Sequence, residues 1–193
     1  MMKRTVLAIF ISSSSLVGCI TTPTISAQQR PPHWGKVIDQ PDNFYQISEH
    51  VFRSEQPNAE LIPQLKTQHI DAVINLRSRN ADLAVLPSTD FQLIHIPINT
   101  WAMNRDDLLQ VMQHIQQAQK LNQKVLIHCY HGSDRTGASV AMYRIIFENW
   151  PTEDALNEMK YGGYGFHPVW MNIEKIFSPE NIKWIRQQLS NPS

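Results

Sequence analysis

Cysteine is nearly absent from the 193-residue chain, which has only Cys19 and Cys129. Two thiols cannot build a disulfide framework, and a closed zinc site would need more of them at a spacing that the neighbouring His128 and His131 do not supply. Surplus positive charge is also missing. The 17 basic residues are matched by 17 acidic ones, which argues against nucleic acid as a partner. No apolar run reaches the roughly 20 residues of a membrane-spanning helix. The longest, Thr5–Ser15, is about eleven residues and suits the central region of a signal peptide.

What surrounds that run is informative. Met1-Met2-Lys3-Arg4 is a short basic start, and the run leads into Leu16-Val17-Gly18-Cys19, which resembles the lipobox of bacterial lipoproteins. The resemblance implies cleavage before Cys19, lipidation of its thiol and, with Ile20 rather than Asp following, an outer-membrane anchor facing the periplasm of a Gram-negative cell. The competing reading is an ordinary secretory signal cut elsewhere, for example after Ala27. Residues 1–18 are thus expected to be removed, leaving 15 basic and 17 acidic residues. Residues 19–42, rich in Thr, Pro, Gln and Ser with no apolar period, read as a lipidated cysteine followed by a flexible tether. Residues 43–193 have the length of one globular domain, expected to be a monomer that meets the membrane through its lipid alone. With Cys19 lipidated, Cys129 is a solitary thiol in an oxidising compartment, a hazard unless it is buried or used.

Apolar runs of strand length occur at Val51-Phe52-Arg53, Ala72–Leu76, Phe91–Ile96 and Lys124–His128, and such runs suit strands covered on both faces. Helical spacing follows Asn58, runs over residues 106–119 behind Asn104, and recurs over about 136–149, from Thr152 to Gly162, and from Ser178 to Leu189. Alternating strands and helices predict an α/β domain with a mainly parallel central sheet flanked by helices on both faces.

The strand ending at His128 leads into Cys129-Tyr130-His131-Gly132-Ser133-Asp134-Arg135-Thr136-Gly137, and a helix follows. A loop entering a helix N-terminus turns backbone N–H groups inward, and the helix dipole adds partial positive charge. A cysteine at the head of that loop lies in the field of those donors, which favours the thiolate. Arg135, six residues on, can fold back and clamp two phosphate oxygens with its planar guanidinium. Gly132 allows close backbone approach, and Thr136 offers a hydroxyl near the sulfur. Tyr130 to Arg135 are therefore the candidate phosphate-binding residues, with His128 and Thr136 in support. A cysteine at a strand end can also be a small apolar core residue.

His-Cys-x5-Arg-Thr-Gly resembles the signature of the protein tyrosine phosphatase superfamily, in particular its bacterial dual-specificity branch. Asn43–Ser48, Val51–Pro57, Val73–Arg77, Ala141–Arg144 and Gly162–His167 resemble other parts of such domains. The resemblance implies hydrolysis of phosphate monoesters in two steps through a cysteinyl-phosphate, with no cofactor and no metal. It also implies an aspartic general acid on the loop after the preceding strand. Here that loop carries Trp101 and Ala102 where related enzymes carry Asp.

Three carboxylates remain as candidates. Asp106 and Asp107 can equally well complement the dipole of the helix that they begin, and Asp134 can instead fix the loop's shape. Asp106 is the chosen acid. Arg53, Ser54 and Arg77 are placed to face the pocket, and Trp101 either lines it or packs. The loop has one Arg and no Lys, which suits one monoester better than a cluster of phosphates. Protein phosphotyrosine, with some phosphoserine and phosphothreonine, is the expected substrate, and a small non-protein phosphomonoester such as an inositol phosphate is the alternative. A phosphate-capturing module with little turnover is the rival from another class.

Overall fold

The computed structural model describes residues 20–190. Cys19 and the expected signal segment lie outside the described residues. Six strands form one mixed sheet: β1 (Lys36–Asp39), β2 (Phe44–Gln46), β3 (Val51–Ser54), β4 (Ala72–Asn75), β5 (Gln92–His95) and β6 (Val125–His128). Their order across the sheet is β1-β2-β3-β6-β4-β5. The four strands from β3 to β5 run parallel, in the register Val51 beside Val125 beside Ala72 beside Gln92. β1 and β2 add an antiparallel ribbon at one edge.

Side chains of the parallel strands alternate between two cores, as the period-2 pleat requires. Phe52, Val73 and Leu126 point to the smaller core, where Leu61 and Leu65 cover them beside α1 (Ile62–Thr67). Val51, Ala72, Ile74, Val125 and Ile127 point to the larger one. That face is covered by α2 (Arg105–Lys120), α3 (Asp134–Phe147), α4 (Thr152–Tyr161) and α6 (Pro179–Ser190), with the short α5 (Met171–Lys175) beside them. α3 is buried on nearly all sides, from Thr136 to Ile145. Its sequence is accordingly apolar and small all round rather than striped. α2, by contrast, buries Leu108, Val111, Met112 and Ile115 on one side.

Asn104 caps α2 as its sequence predicts: its side chain accepts from the N–H groups of Asp106 and Asp107, while the Asp107 carboxylate accepts from the Asn104 N–H. A cap of this kind is worth about 1 kcal/mol. The other helix starts are built differently. Asn58 takes the N–H of Leu61, but α1 starts one residue later, and α4 follows Pro151 with no side-chain cap from Thr152.

The tether reading of residues 19–42 requires correction. Strand β1 lies within it, and the segment before β1 is strapped to the domain. The N–H of Thr22 donates to the carbonyl of Phe166 at 2.8 Å and Trp34 is buried. Arg30 donates to the carbonyls of Gly162 and Gly35 and to the Tyr164 hydroxyl, and its guanidinium lies over the rings of Trp34, Tyr45 and Tyr164. Polar, proline-rich composition hid these contacts, because cation–π and main-chain hydrogen bonds need no apolar periodicity. The folded domain therefore includes residues well before Asn43.

Candidate active site

Three parallel strands end at one place. β6 delivers Cys129, β3 ends at Ser54 and β4 at Asn75, so the crevice lies beyond the carboxyl ends of the sheet, where open α/β sheets bind ligands. The turn Cys129–Ser133 then enters α3 at Asp134. Cys129 is 2 % exposed and its thiol is free.

Gly132 shows why this turn tolerates no side chain. Its φ is +67°, and a Cβ there would fall 2.6 Å from both the Glu55 nitrogen and the Ser54 carbonyl carbon. Positive φ and a backbone floor together demand glycine. The loop is also tied down from outside. Tyr130 O accepts from the Gln56 N–H at 3.1 Å, His131 O from the Asn43 amide at 2.9 Å, and Gly132 O from the Arg53 guanidinium. With these carbonyls bonded outward, the peptide N–H groups are available to the concave side, the arrangement an anion needs.

Arg135 occupies the first turn of α3. Its Nη1 donates to the carbonyls of Leu76 and Ile98, both at 3.1 Å, which fixes the guanidinium plane. Its Nε is buried with no protein acceptor. An unpaired buried donor costs about 1–3 kcal/mol, so its retention calls for a ligand acceptor. The Thr136 hydroxyl is likewise buried without a partner, rather than bonded to the sulfur.

His128 is fully buried, with Nδ1 3.2 Å from the Cys129 carbonyl and Nε2 2.8 Å from the Asp82 carboxylate. Burial pushes Asp82 up. The hydrogen bond and charge of His128, with Gln56 and Arg77, outweigh that and hold the carboxyl below its ordinary value. Asp82 carried no signal in the sequence, since it lies in a polar stretch 46 residues from its partner.

Arg53 does not face the pocket. Its side chain is wholly buried beneath the loop, with its guanidinium carbon 3.7 Å from the centre of the Tyr164 ring. Burial, the larger influence, pulls the group below the usual arginine range, while Tyr164, Glu158 and Cys129 act in the opposite sense. Arg77 sits at the rim, bonded to Gln56 at 2.7 Å and lying over the exposed ring of Tyr130.

The expected acid makes no hydrogen bond or ion pair with the phosphate loop. Asp106 is exposed at the start of α2, in a shallow cleft with Met103, Asn172, Lys175 and Asn181, and no residue from 128 to 136 lines that cleft. Asp107 serves the capping box. Their residue type and distance from Cys129 suggested catalysis; the capping box accounts for Asp107, and Asp106 adds a negative charge to the first turn of α2. Trp101 neither packs nor is sheltered; it is 69 % exposed on a turn that Asn172 holds through the Thr100 carbonyl. Asp134 is buried, but its carboxylate faces His167 rather than Arg135. Among the described residues no group of three or more His, Cys, Asp or Glu is arranged to hold a metal ion.

A strand, a glycine-floored turn with a thiol at its head and a fixed guanidinium six residues on define a cysteine-dependent phosphatase site. The family model of the dual specificity phosphatase catalytic domain matches residues 51–176, and the chain belongs to that family. It is similar to the dual specificity protein phosphatase TpbA of Pseudomonas aeruginosa, 30 % identical over 166 residues that cover 86 % of this chain and 75 % of the relative. It is also similar to inositol diphosphatase DSP3 of Arabidopsis thaliana, 27 % identical over 160 residues that cover 78 % of this chain and 77 % of that one. Among solved structures, that of P. aeruginosa TpbA in a cysteine-to-serine form in complex with pTyr matches with a TM-score of 0.76 and 28 % identity. The match covers 84 % of this chain and 99 % of that one. The protein is a cysteine-dependent phosphatase of the dual-specificity type.

Proposed function

We propose that Cys129 is the nucleophile and Arg135 the phosphate clamp in hydrolysis of protein phosphotyrosine, with phosphoserine and phosphothreonine as lesser substrates, and that the enzyme works in the periplasm on a lipid attached to Cys19. The observation that carries the chemistry is the Arg135 guanidinium, anchored through Nη1 while its Nε–H has no partner. In this reading the thiolate of Cys129 attacks phosphorus, the ester P–O bond breaks, and water then cleaves the S–P bond to release phosphate. The loop N–H groups and Arg135 neutralise charge that grows on the phosphoryl oxygens.

A loop with one Arg and no Lys supports a single monoester, and the pTyr complex of the similar TpbA supports an aryl ester. Export and lipidation are supported by the order of basic start, apolar run and Leu-x-Gly-Cys.

The full chain, purified in detergent, is expected to turn over p-nitrophenyl phosphate. Vanadate should block that turnover, EDTA should leave it unaffected, and Cys129→Ser should abolish it. Unchanged turnover in Cys129→Ser refutes the nucleophile. Phosphotyrosyl peptides should exceed phosphoseryl peptides and inositol phosphates in kcat/KM, and the reverse order transfers the substrate to the inositol class. Labelled palmitate should enter the protein and Cys19→Ala should prevent it; a protein that takes up no label is not a lipoprotein.

A further inference from the structure

Hydrolysis of an aryl phosphate needs a proton for the leaving oxygen; the Asp107 carboxylate is engaged in the cap of α2, and the exposed Asp106 carboxylate makes no hydrogen bond to the phosphate loop. The described residues hold another titratable pair against the phosphate loop. The backbone N–H of His167 donates to Asp134 Oδ1 at 2.9 Å, and the Nδ1 of the same residue lies 3.2 and 2.9 Å from the two carboxylate oxygens. The side chains are 17 % and 11 % exposed, so the pair is sheltered but reachable.

His167 is held in place by its segment as well as by Asp134. The amide of Asn43 bridges the carbonyls of His131 and Tyr164 at 2.9 and 3.1 Å, which pins the Tyr164–His167 stretch to the loop. Gly165, at φ +79°, backs onto Ser133. The ring of His131 lies 5.9 Å from that of His167. A carboxylate on Nδ1 fixes the tautomer and leaves Nε2 as the position where a proton comes and goes.

We propose that His167 is the proton-transfer residue of the phosphatase and that Asp134 is its positioning residue. The assignment rests on Cys129 being the nucleophile. As the Cys129 sulfur bonds to phosphorus and the ester P–O bond breaks, the imidazolium gives its Nε2 proton to the leaving oxygen. The neutral ring, Nδ1–H still on Asp134, then accepts a proton from the water that attacks phosphorus. The S–P bond breaks, inorganic phosphate leaves, and both the thiolate and the imidazolium are restored. The charged or titratable groups facing His167 are Asp134 at the start of α3 and His131 in the loop, with Arg135 next along α3. Tyr164, on the same segment, turns away toward Arg30 and Glu158.

The test compares full-length His167→Gln, His167→Asn and Asp134→Asn on 2,4-dinitrophenyl phosphate, whose leaving group needs no proton, and on phenyl phosphate, whose leaving group does. Asparagine can keep the bond to Asp134 while lacking Nε2, so it separates support of the loop from proton transfer. Both His167 variants should lose roughly 10²–10⁴-fold on phenyl phosphate in kcat/KM, which reports the leaving-group step and not the shared hydrolysis of the cysteinyl-phosphate, and change little in kcat/KM on the dinitrophenyl ester, with the alkaline limb of the phenyl phosphate profile gone. Asp134→Asn should keep that limb but lower kcat/KM on phenyl phosphate more than on the dinitrophenyl ester, because the ring has lost the carboxylate that orients it. An equal loss of kcat/KM on both esters, or an intact alkaline limb in His167→Asn, overturns the proposal. Failure of the nucleophile reading is seen separately, as wild-type turnover in Cys129→Ser.

Discussion

His128 and Asp82 meet at 2.8 Å, Nε2 to carboxylate, with side-chain exposures of 0 % and 2 %. The other ring nitrogen of His128 reaches the Cys129 carbonyl, so the pair connects a loop after β4 to the residue that carries the thiol. Removing one member of this buried hydrogen-bonded pair leaves a polar atom of the other unpaired in a medium that solvates it poorly.

Asp82→Ala should therefore destabilise the protein by about 1–3 kcal/mol in urea unfolding. The pH dependence has a defined sign. Asp82 has its folded-state carboxyl held below the ordinary value of 3.8, so its contribution is present above that value and fades as pH falls through the lower folded one. The wild-type stability curve should fall more steeply than that of Asp82→Asn below about pH 4; parallel curves would show that the pair adds no pH-dependent stability.

Gly132→Ala places a methyl group against the backbone of Ser54 and Glu55, which cannot swing aside as a side chain could. A positive φ adds about 1–3 kcal/mol of strain for a residue with a Cβ. The variant should lose turnover of p-nitrophenyl phosphate by at least about tenfold, the equivalent of 1.4 kcal/mol in the barrier. Unimpaired kcat would mean that the loop has room the geometry denies.

Arg53→Met removes the donor on the Gly132 carbonyl and the cation above the Tyr164 ring. A buried carbonyl without its donor costs about 1–3 kcal/mol. We expect lower stability and a lower kcat together. Arg53→Lys should recover little, since a point ammonium cannot both stack on the ring and reach the carbonyl as a planar guanidinium does. Full activity in the methionine variant would assign Arg53 to packing alone.

A chain beginning at Asn43, the domain start expected from composition, lacks β1 and the Arg30 contacts and should be insoluble or unfold at markedly lower temperature than one beginning at Ile20. Arg30→Ala alone should cost about 1–2 kcal/mol through its lost hydrogen bonds and ring contacts. Equal Tm values for the two truncations would restore the tether.

The sequence conveyed what depends on neighbours along the chain. Val73-Ile74 and Val125–Ile127 read as buried strands because short apolar runs rich in β-branched residues suit a sheet covered on both faces. Cys129, Gly132 and Arg135 read as a site because their roles lie within one turn. Pairings across the fold were illegible: His128 finds Asp82 46 residues away and Asp134 finds His167 33 away, and no periodicity announces either. The ribbon Lys36–Asp39 with Phe44–Gln46 escaped because neither is an apolar run: β1 lies exposed to half-buried at the sheet edge between charged ends, and β2 has only Phe44 and Tyr45 before Gln46. Asp106 misled for the opposite reason. Its position along the chain fitted an acid, while the local chemistry of a helix start accounts for it.

The strap that fastens Thr22 to Phe166 has a bearing on geography. Were Cys19 lipidated, only Ile20 and Thr21 would separate the greasy attachment from the folded body, a leash of roughly 10 Å at full stretch. Phe166 adjoins His167, so such an enzyme could not patrol the compartment on a long rope. It would sit pressed to the bilayer with its mouth close to the headgroups, and substrates would have to come to it there.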